Sequence, residues 1–421
     1  MSLVHDTMRV KAAMENQALA TADPETIGER LASARLARGM TQLEAADAIG
    51  VGRTTITAME SGQRRPRPSE LYALARLYGR QLGELLRPLA EGESPSFAIQ
   101  FRSALVEEPS AAARGREEDV HRFERLCRWY GELEAMVETR LPTRYPEEYD
   151  VSRIDIERAA ESIATAERNK LGLGDAPIGD LAALLETEVG LRVFAIPMQD
   201  RRTAGMFLAT SDLGGCIAVN ANHPADRQRW SLAYEYGHFL THRFQPEITT
   251  LRTGRKAREE RLADAFACYF LMPASSLIRR FLALKRAKSG PVTPADILEL
   301  AYLYGVSAQA MFLRLEELEL LRGGTWDALD KQVFKPDAAR ELIDIPKPEP
   351  MRRLPYRYES LVSRAFNEAR ISEGQLAQML DTDRVSARRL VKARSHDEQL
   401  SADGEWRQVP IQLGLALADR V

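Results

Sequence analysis

The stretch MTQLEAADAIGVGRTTITAMESGQRRP, residues 40–66, leaves its backbone few choices. Thr41 followed three positions later by Glu44 is a capping box, so a helix starts at Gln42 and runs through Ile49. Gly50-Val51-Gly52 then makes a tight turn, with Val51 as an apolar plug between two helices. A second helix starts near Arg53, and Ile56 and Met59, three apart, form its inward face. Arg53, Thr54, Thr55 and Thr57 are left on the outer, N-terminal side. A pair of short helices clamped by one turn is the expected structure.

The segments on either side, GERLASARLARGM and PSELYALARLYG, have the same texture of short helices and Gly turns. Residues 23–90 therefore form an all-α domain, preceded by a tail over 1–22 and followed by the linker-like AEGESPS. Residues 91–158 read as a helical linker. In it, Val120, Phe123, Leu126, Cys127 and Tyr130 make one apolar helical stripe that spaces or dimerises the domains. The texture changes after Gly172. IGDLAALLETEVG is an amphipathic helix stopped by Gly190, and LRVFAIP, AGMFLAT and CIAVN are short strands. Helices follow at about 225–242 and 257–271, so 159–280 is an α+β domain with a small sheet from about 191–220. Residues 281–322 form a further helix–turn–helix-like subdomain turning at Gly305-Val306-Ser307, and 323–421 a helical C-terminal region. The fold class is mixed: an all-α N-terminal domain, then an α+β domain.

The chain's net charge of −3 excludes a globally basic nucleic-acid binder, so any such surface is local. Residues 23–90 hold ten Arg against eight acids, and the exposed side of the second helix is where a major-groove helix reads base edges. Arg64 and Arg65 follow at phosphate reach. Over residues 26–86 the chain resembles the XRE (Cro/repressor-type) helix–turn–helix family, carried by TQLEAADAIGV, TTITAMESG and LYALARLYG in family order. The resemblance implies Gln42 on the DNA backbone, Arg53, Thr54 and Thr57 towards bases, and Arg64 on phosphate.

SLAYEYGHFLTH, residues 231–242, is one letter from H-E-x-x-H, the helical zinc-protease motif. Tyr234 and His238 lie four apart on one face, Glu235 sits one step round at a general base's position, and His242 continues the stripe. On the following helix EERLADAFACYFLMP offers Glu260 and Asp264, also four apart. With GLGDAPIGDLAALLE, VNANHP and YGVSAQAMFLRLEEL, these segments resemble the ImmA/IrrE metallopeptidase-like family over about 160–320. The resemblance implies a zincin-like domain in which position 234, His238 and Glu260 bind zinc and Glu235 is the base. The departure is Tyr234, where the family has His. Three readings stay open. Tyr234 is a phenolate ligand, although a free phenol has a pKa near about 10. Alternatively, His242 replaces it and pairs with His238 and Glu260. In the third, the zinc site is lost, Tyr234 fills the space and His242 ends the helix.

The third reading makes the chain a sequence-specific DNA-binding regulator, of repressor type, with a sensing or interaction domain and no cofactor; zinc is the metal if one is bound. An active zinc endopeptidase cleaving a regulatory protein is the alternative, and an antitoxin-type regulator beside a toxin the second. Expected partners are a double-stranded DNA operator, a second copy of the chain and a protein encoded nearby. The scattered Cys127, Cys216 and Cys268 suit a reducing compartment. The N-terminus has no signal-peptide core, and no apolar run approaches the eighteen or so residues of a membrane span. The expected location is cytoplasmic.

Overall fold

The computed structural model describes residues 24–37, 40–78, 85, 111–151, 154–210, 212–243, 247–250, 257–288, 290–332, 334–400 and 406–410. The tail 1–22 and the segment AEGESPS lie outside the described residues. The chain divides into two compact units, one reaching to Glu124 and the other starting at Arg125, with Thr210–Asp212 grouped with the first. That boundary falls inside the long helix α5 (Ala111–Met136), whose stripe residues Val120, Phe123, Leu126, Cys127 and Tyr130 are all buried.

In the first unit four helices surround one core: α1 (Pro24–Ala37), α2 (Gln42–Ile49), α3 (Arg53–Glu60) and α4 (Pro68–Tyr78). The capping box forms as its spacing implies: Glu44 N–H donates to Thr41 Oγ1 at 3.2 Å, and Thr41 N–H to Glu44 Oε2 at 2.7 Å. Gly50 takes φ 71°, a left-handed conformation, and ends α2. Ile56 and Met59 are buried with Ile27, Leu31, Ala45, Ala46, Leu71 and Leu74. α1 packs closest at Gly28, where an added Cβ would meet the Met59 carbonyl oxygen at 2.3 Å.

The second unit is built on a four-stranded sheet of β1 (Arg192–Ile196), β2 (Thr203–Thr210), β3 (Gly214–Asn220) and β4 (Glu247–Thr250), in the order β1-β3-β2-β4. β1 runs parallel to β3, Val193 opposite Ile217, and β2 antiparallel to β4, Met206 opposite Ile248. The first three strands fall where the sequence places the sheet; β4, with the polar sequence EITT, carries no alternating apolar signal. α6 (Ile156–Lys170) and the single turn α7 (Leu181–Leu184) precede the sheet, α7 widening into a π turn, Leu185–Val189, that Gly190 closes at φ 90°.

The helices α8 (Ala225–Thr241) and α9 (Arg258–Leu271) carry the metallopeptidase-like motif. They approach at Gly237, where a Cβ would sit 3.0 Å from Phe266 and 3.2 Å from the Ala263 Cα. Arg168 of α6 fastens the far end of α9, donating to the Phe270 carbonyl at 2.6 Å. α10 (Ala274–Ala287), α11 (Pro294–Tyr304) and α12 (Ala308–Glu317) follow, the last two turning at Gly305 with φ 64°. Met311, Phe312 and Leu315 anchor α12 in the same core as α8 and α9.

The C-terminal region needs one correction. α13 (Thr325–Lys331), α14 (Pro336–Leu342), α15 (Tyr356–Asn367), α16 (Glu373–Met379) and α17 (Arg384–Ser395) are helical, but β5 (His396–Leu400) and β6 (Trp406–Pro410) form an antiparallel hairpin. The sequence pattern predicts helix throughout 323–421. VP at the end of β6 and the polar DEQL of β5 give no helical stripe, and antiparallel pairing with each other satisfies their backbone instead. The connection before α15 also has a structural part: the Ala195 N–H donates to the Arg353 carbonyl at 3.2 Å, covering the outer edge of β1.

Candidate functional site

α3 divides into an exposed polar side and a buried apolar one. Arg53, Thr54 and Thr57 are exposed and Thr55 is partly so, while Ile56 and Met59 are buried underneath. Gln42, expected on the DNA backbone, is engaged within the unit: its Nε2 donates to Glu60 Oε2 at 2.9 Å and its Oε1 accepts from Thr57 Oγ1 at 3.0 Å. Arg64 is half-tied as well, with Nη2 at 2.9 Å from Glu70 Oε1, so a phosphate at Arg64 would compete with that carboxylate. Arg65 is exposed.

Glu60 is the residue the sequence reading missed here. It accepts from Arg35 Nε at 2.7 Å and Nη2 at 3.0 Å, and also from Gln42, joining α1, α2 and α3 through one nearly buried carboxylate. An acid ending a helix in the middle of a basic segment was the available signal.

In the second unit, Tyr234, Glu235 and His238 are 6%, 0% and 1% exposed. The Tyr234 and His238 rings meet edge to face at 4.8 Å between centroids, so the phenol lies directly against the imidazole. Burial, and after it the charge of His242, pushes the His238 pKa down to about 3, leaving a neutral imidazole at neutral pH. Glu235 fits under β2 only because residue 205 is glycine: a Cβ there would stand 2.5 Å from Glu235 Oε1 and 3.0 Å from its Cγ.

The rest of the expected ligand set has bonds of its own. Glu260 Oε2 accepts from the Ala257 N–H at 3.1 Å and closes the first turn of its own helix. His242 leaves the helical stripe on which the sequence places it. It is the C-cap of α8 at φ −145°, with Nδ1 2.8 Å from Thr241 Oγ1. Its N–H still donates to the His238 carbonyl at 2.7 Å, the last i,i+4 bond of α8. Among the described residues no three His, Cys, Asp or Glu side chains come together as a metal-holding group. Of the ligand set the resemblance implies, position 234 offers a phenol instead of an imidazole, and one oxygen of Glu260 is already engaged at its own helix N-terminus, where a catalytic zinc ion takes three protein ligands.

A cavity of about 480 Å³ opens beside this cluster, lined among others by Asp226, Trp230, Tyr234, Thr249, Glu260 and Asp264. Trp230 Nε1 donates to Asp264 Oδ1 at 3.1 Å, bridging α8 and α9 across it. Tyr234 and Glu260 thus face one space, while His238 lies behind the phenol. Trp230 had a legible signal, since Asp226, Trp230, Tyr234 and His238 follow one another at four-residue spacing on one helical face.

An exposed groove-reading helix in one unit and a buried Glu-x-x-His helix beside a small sheet in the other define a DNA-binding regulator with a metallopeptidase-like domain. Its particular form is given by two family matches: residues 31–85 match the Helix-turn-helix family and residues 186–316 the IrrE N-terminal-like domain, so the chain is a fusion of the two. No curated protein matches it. Among solved structures, ComR from Streptococcus suis is similar at 11% identity over 88% of this chain and 87% of that one, with a TM-score of 0.15. PlcR from Bacillus thuringiensis, solved in complex with the peptide PapR7 and DNA, is similar at 13% identity over 87% of this chain and 91% of that one, also at 0.15. At that score no shared fold follows. No single helix among the described residues is long and apolar enough to cross a membrane.

Proposed function

We propose that the chain is a repressor-type transcriptional regulator that reads an operator through α3 and uses its IrrE-like domain as a non-catalytic sensing or interaction module. It acts in the cytoplasm, as a homodimer, without a resident metal. The observation that carries the non-catalytic part is Tyr234. Its ring packs on the one available imidazole, at the position a first histidine ligand would take. Glu235 is buried against Gly205, and without a metal to lower the pKa of a bound water it has no adequate nucleophile to activate. The cavity at Tyr234 is then the natural place for an inducer or a protein segment to act on the domain.

Tyr234→His tests this reading. Restoring the imidazole supplies the missing ligand beside His238, within reach of a Glu260 released from its cap. The expected result is that the variant takes up zinc and cleaves a fluorescently labelled unfolded protein substrate, while the unsubstituted chain does neither. Cleavage by the unsubstituted chain, abolished by Glu235→Gln, would establish an active peptidase instead.

A further inference from the structure

The turn between α16 and α17 repeats the turn between α2 and α3, position for position and with no gap. Ser372 caps α16 as Thr41 caps α2: Gln375 N–H donates to Ser372 Oγ at 3.2 Å, and Ser372 N–H donates to Gln375 Oε1 at 2.8 Å. Asp381 takes the left-handed place of Gly50, at φ 51° against 71°, a conformation Asp reaches more easily than most residues. Thr382 N–H then closes the turn on the Ala377 carbonyl at 3.0 Å, as Val51 N–H does on Ala46 at 3.0 Å. Even the polar tie across the pair is kept. Arg388 Nη2 meets Glu373 Oε2 at 2.5 Å, where Thr57 meets Gln42 in the first pair.

The outer face of α17 sets this pair apart from α11–α12, which also turns through a left-handed residue. α12 commits Met311, Phe312 and Leu315 to the domain core. Over 384–393, α17 buries Ala387 and Val391 and leaves Arg384, Val385, Arg388, Arg389, Leu390 and Lys392 exposed. Its sequence, RVSARRLVKARS, contains four Arg and one Lys and no acid at all, in a chain whose net charge is −3. A concentration of positive charge on one exposed helix is the electrostatic footprint of a phosphate backbone.

We infer that α16–α17 is a second helix–turn–helix and that α17 binds double-stranded DNA. An α-helix fits the major groove of B-DNA, whereas the deep, narrow major groove of A-form RNA does not admit it. Arg384, at the start of α17, occupies the place Arg53 has in α3. Val385, 59% exposed, takes the place of Thr54, where an apolar side chain can meet a thymine methyl group. Arg389 and Lys392 lie further along the helix, at the reach of phosphates. The hairpin that follows brings Asp397 and Glu398, so the DNA contact is assigned to α17 alone.

The test uses the full chain and a fluorescein-labelled duplex of random sequence, about three helical turns long. Binding is followed by anisotropy across a salt series. One variant, Arg53→Glu with Thr54→Glu, disables α3; a second, Arg384→Ala with Arg389→Ala and Lys392→Ala, strips α17; a third combines them. The α3 variant should keep salt-dependent binding, and the combined variant should lose at least about ten-fold of it. Stripping α17 alone should lower the salt slope by about 0.9 for each phosphate contact removed, with an unchanged thermal melt because these side chains are exposed. No duplex binding by a folded α3 variant, or an unchanged slope on stripping α17, overturns the assignment, as does preference for an RNA duplex over DNA. If the α3 variant does not fold, the slope change in the otherwise unsubstituted chain decides.

Discussion

Gly205 shows how closely one residue is fitted to another in this molecule. The buried Glu235 carboxylate occupies the space a side chain on β2 would need, 2.5 Å from where a Cβ would stand. Glu235 is 0% exposed, so making room for a Cβ means moving a carboxylate packed on all sides. Gly205→Ala should therefore destabilise the second unit by about 1–3 kcal/mol, the range of overpacking in a filled core, read from urea unfolding. An unchanged unfolding midpoint would mean that the Glu235 side chain moves at little cost. The same scale explains what could be read in the sequence around Tyr234. Helical spacing placed Tyr234, Glu235 and His238 on α8 correctly, because that spacing is local. It could not show that Glu260 would bond its own helix N-terminus, or that α8 would stop one residue before His242. Both outcomes depend on which donors lie near once the chain has folded.

Among the elements, α2 and α3 were the most legible, since a capping box, a left-handed glycine and two inward apolar residues are all encoded within twenty positions. Glu60 was legible only as an acid ending a helix in a basic segment; that it joins α1, α2 and α3 was not, because its partner Arg35 lies in another helix. β4 and the C-terminal hairpin escaped for a related reason: their residues are polar, and pairing is a long-range choice. The exposed face of α3 carries its own prediction. Arg53→Ala should weaken operator binding by about 1–3 kcal/mol and relax specificity at one position, as expected for loss of a bidentate base contact. Arg65→Ala should weaken binding on every sequence alike and lower the salt slope by about one unit. Equal effects of the two substitutions on cognate and random duplexes would show that α3 enters the groove in another orientation.

For the whole molecule, a helix–turn–helix domain is joined in one chain to an IrrE-like domain that has Tyr234 where the family has His. α3 by itself covers too few base pairs for specificity, and two-fold proteins read two-fold sites, so the chain should bind as a dimer to a roughly palindromic operator, its half-sites about one helical turn apart. Sedimentation of the chain on such a duplex should give two chains per site; saturation at one chain would count against it. The central claim is that the IrrE-like domain regulates without a metal. It is tested most directly by the zinc content of the full chain purified without chelator, measured by elemental analysis against protein concentration. With Tyr234 on His238 and Glu260 at its helix cap, the account predicts far less than about one zinc per chain, since a catalytic site needs three protein ligands. A stoichiometry close to about one, lost on His238→Ala, would contradict it.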